Sequence, residues 1–435
     1  MLRGAKKGGV RGVERLAGGG CLFGTIQRDM KIIHTSDWHL GSRMLDMSRR
    51  DEFEAFLEWL LEQLAEEKPD ALLVSGDIFD TTTPGERTRE LYCEFLSRAD
   101  AAGCRRIIIT AGNHDGVAQL EVAKPLLQRH HCTVVTSLKR DEAEKCLIPI
   151  ENESGEPVGL VCAVPFLRPG DVSLPQPEEE RQYSYVRGVA AVYARVAELA
   201  EAWKSAHPGL PVVAMGHLPV LGAEATASTR SLYIGTLDVV GEEVFPPVFD
   251  YVALGHIHKP SADLTARVLY SGSPLSMGMD EANYEHRLLA VELAAGVRRL
   301  RGIAVPQPVC YESIVCADPQ ELAQQVERLR QSPEQRIWLA LEYHGCDLST
   351  AELNTLLRRE LPQERVPVIR AARVLPVTAA PRRRADLSVK LTDYTPEHIF
   401  RRALDKYIAE TPQHESLRAE LTELFHTVLS DIRNH

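Results

Sequence analysis

The sequence predicts a layered α/β domain, followed by a small α+β unit and C-terminal helices. Two patterns carry that prediction. From Met30 to Tyr270, short apolar strands alternate with amphipathic helices, the texture of helices packed on a sheet. Five of the strands also run directly into clusters of Asp, His and Asn, and four of those clusters contain a glycine.

Taken in order, Lys31–Thr35 reads as the first strand. The next segment, 51–67, has apolar residues at 53, 56, 57, 60, 61 and 64, the i, i+3, i+4 spacing of a helix with one buried face. Strand 71–74, helix 86–102, strand 106–110 and helix 117–129 follow. After an irregular acidic and Pro-rich stretch come strand 158–164, a long helix over 183–207, and strands 212–215, 251–254 and 268–270. A second pattern begins near residue 285. Strands 288–293 and 297–305 flank Ala294-Ala295-Gly296, and then strand 311–316, helix 319–331, strand 337–343, helix 350–361 and strand 368–374 alternate. Residues 30–284 are therefore expected to form the main domain and 285–376 a small α+β unit. Residues 377–394, with Pro381 and Arg382-Arg383-Arg384, read as a linker. In 395–435, Thr395-Pro396-Glu397 is a helix start, and two amphipathic stripes follow.

Residues 1–29 differ in kind, with eight Gly and six Lys or Arg against two acids, and are expected to be a disordered extension or the product of an upstream start codon before Met30. The remaining chain carries 44 basic against 59 acidic residues, so the overall charge of −11 understates how acidic the body is. That balance excludes a free-standing basic nucleic-acid coat. No run of about 18 apolar residues exists to span a bilayer. Nine cysteines without a CxxC pair, several in apolar runs, match free thiols of a reducing cytoplasm.

The polar clusters carry the chemistry. They are Asp37-Trp38-His39, Gly76-Asp77 with Asp80, Gly112-Asn113-His114-Asp115, Gly216-His217, and Gly255-His256-Ile257-His258. In open α/β sheets, ligands bind outside the carboxyl ends of strands. Asp37, His39, Asp77, Asn113, His217, His256 and His258 mix carboxylate, amide and imidazole without sulfur, which suits manganese, iron or zinc better than an all-oxygen cage. Seven donors exceed what one ion with an open position needs. They suit two divalent ions about 3.5–4 Å apart, the arrangement that clamps attacking and leaving oxygens in phosphoryl transfer.

This order of motifs resembles the calcineurin-like metallophosphoesterase superfamily. The fuller strings Ile33-His34-Thr35-Ser36-Asp37-Trp38-His39-Leu40-Gly41, Ser231–Leu237, Phe249–His258 and Tyr270–Pro274 resemble, within it, the DNA double-strand-break nucleases, including the bacterial SbcCD-type nuclease subunits. The resemblance implies a two-metal DNA nuclease acting as a double-strand exonuclease and a single-strand or hairpin endonuclease. Manganese is the implied metal. One ion is implied on Asp37, His39, Asp77 and His258, and the other on Asp77, Asn113, His217 and His256, with Asp77 bridging. His114 is implied to face the scissile phosphate and protonate the leaving oxygen, oriented by Asp80 or else by Asp115. Residues 285–376 are implied to be a capping domain, and 395–435 to dock on the coiled-coil base of an SMC-like ATPase subunit. A homodimer of the nuclease subunit within a heterotetramer, a cytoplasmic location and a role in DNA repair, recombination or replication are implied with these. Arg43, Arg49 and Arg50 are candidate contacts to the phosphate backbone. The rival readings are a small-substrate phosphodiesterase and a non-catalytic adaptor.

Overall fold

The computed structural model describes residues 29–374, apart from 46, 123–130, 173–180, 222–238, 295–296, 332–335 and 346, and beyond them scattered positions between 400 and 425. The expectations for residues 1–28, the linker 377–394, most of 395–435 and the string at 231–237 lie outside the described residues. The chain divides into two units, Met1–Val374 and Leu375–His435. In the second unit the rings of Phe400 and Phe425 stack with centroids 4.1 Å apart.

The strands are β1 (Met30–Thr35), β2 (Arg43–Met44), β3 (Met47–Ser48), β4 (Ala71–Ser75), β5 (Ile107–Thr110), β6 (Cys132–Val135), β7 (Leu147–Glu151), β8 (Pro157–Ala163), β9 (Val212–His217), β10 (Tyr251–Gly255), β11 (Val268–Tyr270), β12 (Arg287–Ala294), β13 (Val297–Ala304), β14 (Val309–Cys316), β15 (Arg336–Tyr343) and β16 (Val368–Arg373). The principal helices are α1 (Arg50–Glu67), α2 (Glu86–Ala101), α3 (Val117–Val122), α4 (Arg181–Ala206), α5 (Pro319–Arg330) and α6 (Thr350–Glu360). A six-stranded sheet has the order β13-β12-β1-β4-β5-β6, and a five-stranded sheet the order β11-β10-β9-β8-β7. Strands β1, β4, β5 and β6 run parallel, as do β8 to β11, so within each sheet the ligand-bearing strands end on one rim.

Period-two alternation builds the layers. On the first sheet, Ile32, Leu73 and Ile108 face Val161, Val213, Met215 and Ala253 of the second across a shared core. Their neighbours Ile33, Leu72, Val74 and Ile109 face outward against Phe53, Phe56, Leu57, Leu60 and Leu64 of α1 and Phe95 and Leu96 of α2. The outer face of the second sheet packs Leu160, Cys162, Val212 and Val252 on Val189, Val192, Tyr193 and Val196 of α4. The order is thus helix, sheet, sheet, helix. Each large apolar side chain so buried contributes about 1.5–3 kcal/mol.

Two expectations change. The strands read as the start of the small unit belong to the main domain. β12 pairs antiparallel with β1, from Met30 opposite Leu293 to His34 opposite Leu289, and β13 extends the same edge, which moves the boundary from 285 to near Val309. The apolar side chains Leu289, Val291 and Leu293 of β12 fill the core between the sheets, which their sequence position did not reveal. The stretch read as irregular also holds β6 and β7. Pro149 argued against a strand there, but β7 is an edge strand and Pro149 is exposed, where a missing N–H is harmless.

The remaining unit is a parallel sheet, β14-β15-β16, with α5 and α6 packed on it around Leu339, Leu341, Leu322, Leu353 and Leu357. Asp318 caps α5 and a Ser349–Glu352 capping box starts α6. Its Val309, Tyr311 and Trp338 pack against Met44, Met47, Met279 and Ala282 of the main domain. Arg49 corrects a further expectation. Its side chain is fully buried, paired with Glu52, whose carboxylate also accepts from Tyr311, so it joins the two sheets' domain to the small unit rather than facing a phosphate. Arg50 is exposed and pairs with Glu54.

Polar contacts cross the core between the two sheets. The Ser75 hydroxyl donates to the Ala253 carbonyl at 3.0 Å. His34 Nε2 lies 3.2 Å from the Leu254 carbonyl and Nδ1 2.8 Å from the Tyr251 hydroxyl. Because a carbonyl only accepts, the proton sits on Nε2 and Nδ1 accepts from Tyr251. Burial pushes the His34 imidazole down to about 3, against the opposing pull of the Leu254 carbonyl. Unfolding frees the ring to take a proton below pH 6.5, so stability should fall as pH drops through that value and go on falling towards pH 3. Between pH 7.5 and pH 5 this group alone should cost about 2 kcal/mol. His34→Gln should remove that increment from the pH dependence of urea unfolding; an unchanged slope would contradict the neutral, buried ring.

Candidate metal centre

The loops after β1, β4 and β10 hold unusual backbone. Asp37, His39, Asp77 and His256 have φ of 52°, 46°, 51° and 95°, the left-handed region that side chains other than glycine avoid at a cost of about 1–2 kcal/mol each. Specific bonds hold them there. Asp37 N–H donates to Gly76 O, His39 N–H to Asp77 O and Leu40 N–H to Ile78 O, all near 3.0 Å. His256 N–H donates to the Asp37 carboxylate at 2.9 Å, tying the second sheet to the first. The buried Asp115 carboxylate accepts from the N–H groups of Ile78, Phe79 and Gly112, which clamps the β4 and β5 loops together.

All seven expected donors meet at one place. Six are buried, and Asn113 is half-buried. His258 Nε2 lies 3.2 Å from His39 Nε2, which is 3.6 Å from Asp77 Oδ2. Asp77 Oδ2 is in turn 3.2 Å from His217 Nε2. Asn113 Oδ1 sits 3.0 Å from both His217 Nε2 and His256 Nδ1. Ligand atoms of Asp37, His39 and His258 lie within 4.8 Å of one another, as do those of Asp37, Asp77 and His217. The outer nitrogens are spoken for: His217 Nδ1 donates to the Ser75 carbonyl and His258 Nδ1 to the Glu281 carboxylate, both at 2.8 Å. Each ring therefore turns an Nε2 lone pair inward, the tautomer a metal requires. Asp77 sits between the two halves of this set.

The charges fit a cation. Burial alone would push the Asp77 carboxyl up, but His217, with His39 and His114, outweighs it and holds the group well below the carboxylate range. Burial alone would lower His217; Asp77 reverses that and raises it to about 9. Burial, reinforced by the charge on His217, pushes His256 down to about 3. A proton on His217 therefore stands where positive charge is wanted, between Asp77 and Asn113, and a bound divalent cation would displace it.

His114 is half-buried beside this set. A ring nitrogen lies within 4.8 Å of ligand atoms of His39 and Asp77. Its Nδ1 bonds to the main-chain carbonyl of Asp80 at 2.8 Å, and its Nε2 is buried without a partner. The orientation expected from the Asp80 carboxylate thus comes from the Asp80 backbone. The carboxylate instead lies 3.5 Å from His39 Nδ1, and Asp115 is committed to backbone N–H groups. The sequence reading missed Asp115 as a clamp and Glu281 as the partner of His258, because neither belongs to a strand-end cluster with its own spacing signal.

Gly112 shows how tightly the centre is built: a Cβ there would lie 2.1 Å from Asp77 Oδ1 and 2.3 Å from Asp77 N. Gly112→Ala should displace Asp77 and cut the divalent metal retained after dialysis to below half of the wild-type content by elemental analysis. Full retention would mean that Asp77 is not central to the site.

The calcineurin-like phosphoesterase family model matches residues 30–260. The chain is 32% identical over 418 residues to the SbcD component of nuclease SbcCD from Escherichia coli K12, covering 92% of this chain and 99% of that protein. It is 37% identical over 287 residues to the same component from Rhodobacter capsulatus, covering 64% and 70%, and 29% identical over 335 residues to that of Bacillus subtilis, covering 75% and 82%. A likeness to a family 1 β-glucosidase of Thermotoga maritima, with 10% identity over 78% of this chain and 83% of that one, has a TM-score of 0.18 and bears on nothing. With the donor set described above, the match means a divalent-metal centre and hydrolysis of phosphate esters. The chain belongs to the SbcD family of calcineurin-like metallophosphoesterases.

Proposed function

We propose that the protein is the nuclease subunit of an SbcCD-type complex, cutting DNA phosphodiester bonds with two manganese ions as a double-strand exonuclease and a single-strand or hairpin endonuclease. The observation that carries this reading is the convergence of seven metal donors from both sheets on Asp77, with the unpartnered Nε2 of His114 beside them. One ion is assigned to Asp37, His39, Asp77 and His258, the other to Asp77, Asn113, His217 and His256. Bound there, the ions supply positive charge to the phosphoryl oxygens and lower the pKa of water.

The chain's own residues do the rest. The Asp80 carbonyl takes the proton on His114 Nδ1, so in the imidazolium only the Nε2–H is left to point at substrate. It donates to the phosphoryl group as charge develops and hands its proton to the departing 3′ oxygen. The Asp80 carboxylate, beside His39, steadies that ring. The small unit at 309–374 caps the site.

The partner is an SbcC-type SMC-like ATPase subunit, bound through 395–435, in a heterotetramer built on a homodimer of this chain. The E. coli, R. capsulatus and B. subtilis relatives are named as subunits of such a complex. The acidity of the body supports a partner too, since 44 basic against 59 acidic residues give little long-range hold on a polyanion. Among the described residues no helix is long and apolar enough to cross a membrane, consistent with work on DNA in the cytoplasm.

His114→Ala should retain both metals yet lose hairpin cleavage by about 10²–10⁴-fold, the usual worth of a general acid. Full activity in that variant would remove His114 from the mechanism. With manganese, wild-type protein should cut a DNA hairpin in clear preference to bis-p-nitrophenyl phosphate; the reverse preference would favour a small-substrate phosphodiesterase.

A further inference from the structure

We propose that Glu281 is the positioning residue for His258, fixing the tautomer and ring angle that one of the two metal ions requires. This rests on the two-ion reading of the centre, since His258 matters only if it is a ligand.

Glu281 lies at the end of a short 3-10 turn, Met279–Glu281, well past the last polar cluster. It is a carboxylate with no solvent exposure. Such a group is costly to bury unless its oxygens are bonded. Here Oε1 accepts from His258 Nδ1 at 2.8 Å and Oε2 from Met277 N–H at 2.8 Å. Both partners are donors, so two acceptor oxygens are needed, and an amide in that place could satisfy only one of them. With Nδ1 committed, His258 presents Nε2 towards His39 Nε2, 3.2 Å away. The other histidine ligands have different outer partners or none. His217 uses a main-chain carbonyl, and His39 Nδ1 has no hydrogen-bond partner. Glu281 thus acts on His258 in particular.

The turn that carries Glu281 is held from behind. The Glu281 main-chain carbonyl accepts from His286 Nε2 at 3.3 Å and Ser276 Oγ at 3.5 Å. Met279 and Ala282 pack on Val309, Tyr311 and Trp338 of the small unit, and the buried Arg49 guanidinium reaches Met277 Sδ at 3.5 Å. A carboxylate fixed on both sides is suited to hold a ring angle rather than to follow it.

The test is a calorimetric titration of metal-free full-length protein with Mn²⁺, comparing wild type, Glu281→Leu, Glu281→Gln, His258→Ala and Leu60→Ala. Leu60→Ala loosens the α1 core and controls for mere destabilisation. In Glu281→Leu, one of the two sites should weaken by about 10–100-fold and the other keep its wild-type affinity. Glu281→Gln, which keeps one acceptor, should fall between Glu281→Leu and wild type. The proposal is overturned if Glu281→Leu binds both ions as wild type does while His258→Ala loses one. It is equally overturned if Glu281→Leu weakens both sites to the same degree that Leu60→Ala does. If His258→Ala itself keeps two wild-type sites, the two-ion reading of the centre fails first, and the role of Glu281 falls with it.

Discussion

The centre depends on how two sheets are held face to face. Asp37, His39, Asp77 and Asn113 come from the first sheet, and His217, His256 and His258 from the second. Neither sheet alone offers more than part of a coordination set. A slip of one residue between them would move ligands by about 3.3 Å, whereas metal–ligand distances tolerate about 0.2 Å. An apolar core between sheets does not give that precision, because dispersion and burial are not directional. The polar contacts across the seam supply it: His34 with Tyr251 and Leu254, Ser75 with Ala253, Ser36 with Ser271, and His256 N–H with Asp37. They increase in catalytic relevance towards the rim, where the last of them fixes two ligand residues at once.

This seam explains what the sequence disclosed and what it withheld. Strand-end clusters are local signals, so all seven donors were legible from spacing and from the glycines beside them, and so was the amphipathic face of α1. The division into two sheets was not, because alternating strands and helices look the same whether they build one sheet or two. β12 was misplaced for a related reason. Its pairing with β1 joins residues some 260 positions apart, as Met30 opposite Leu293, and no local pattern encodes such a partner. Glu281 was invisible because a single carboxylate in a turn has no periodicity. Arg49 was read as a surface charge because sequence shows a cation but not the Glu52 and Tyr311 that enclose it.

The backbone at the centre is not what its residues would choose alone. Four ligand residues take left-handed φ values, a combined cost of several kcal/mol in a molecule whose net stability is about 5–15 kcal/mol. A relaxed backbone at those positions would turn Asp37, His39, Asp77 and His256 away from a common point. The cost is met by the fully buried strands that precede them and by the loop-to-loop bonds. Conformational strain of this sort collects where side chains must converge.

Charge brings the same logic to the scale of the whole chain. The body holds fifteen more acidic than basic residues, yet its proposed substrate is a polyanion. Carboxylates such as Asp37 and Asp77 add to that acidity while creating the demand for cations, and the proton that Asp77 keeps on His217 shows the demand is present before any metal arrives. Divalent ions thus convert locally clustered negative charge into the positive charge that phosphate requires, over a range of a few ångströms. Beyond about 10 Å, screening leaves the acidic surface with no means of gathering DNA. Capture over distance must then come from another surface, and a cutter with strong local and weak long-range electrostatics is physically suited to work as one member of a complex that does the gathering.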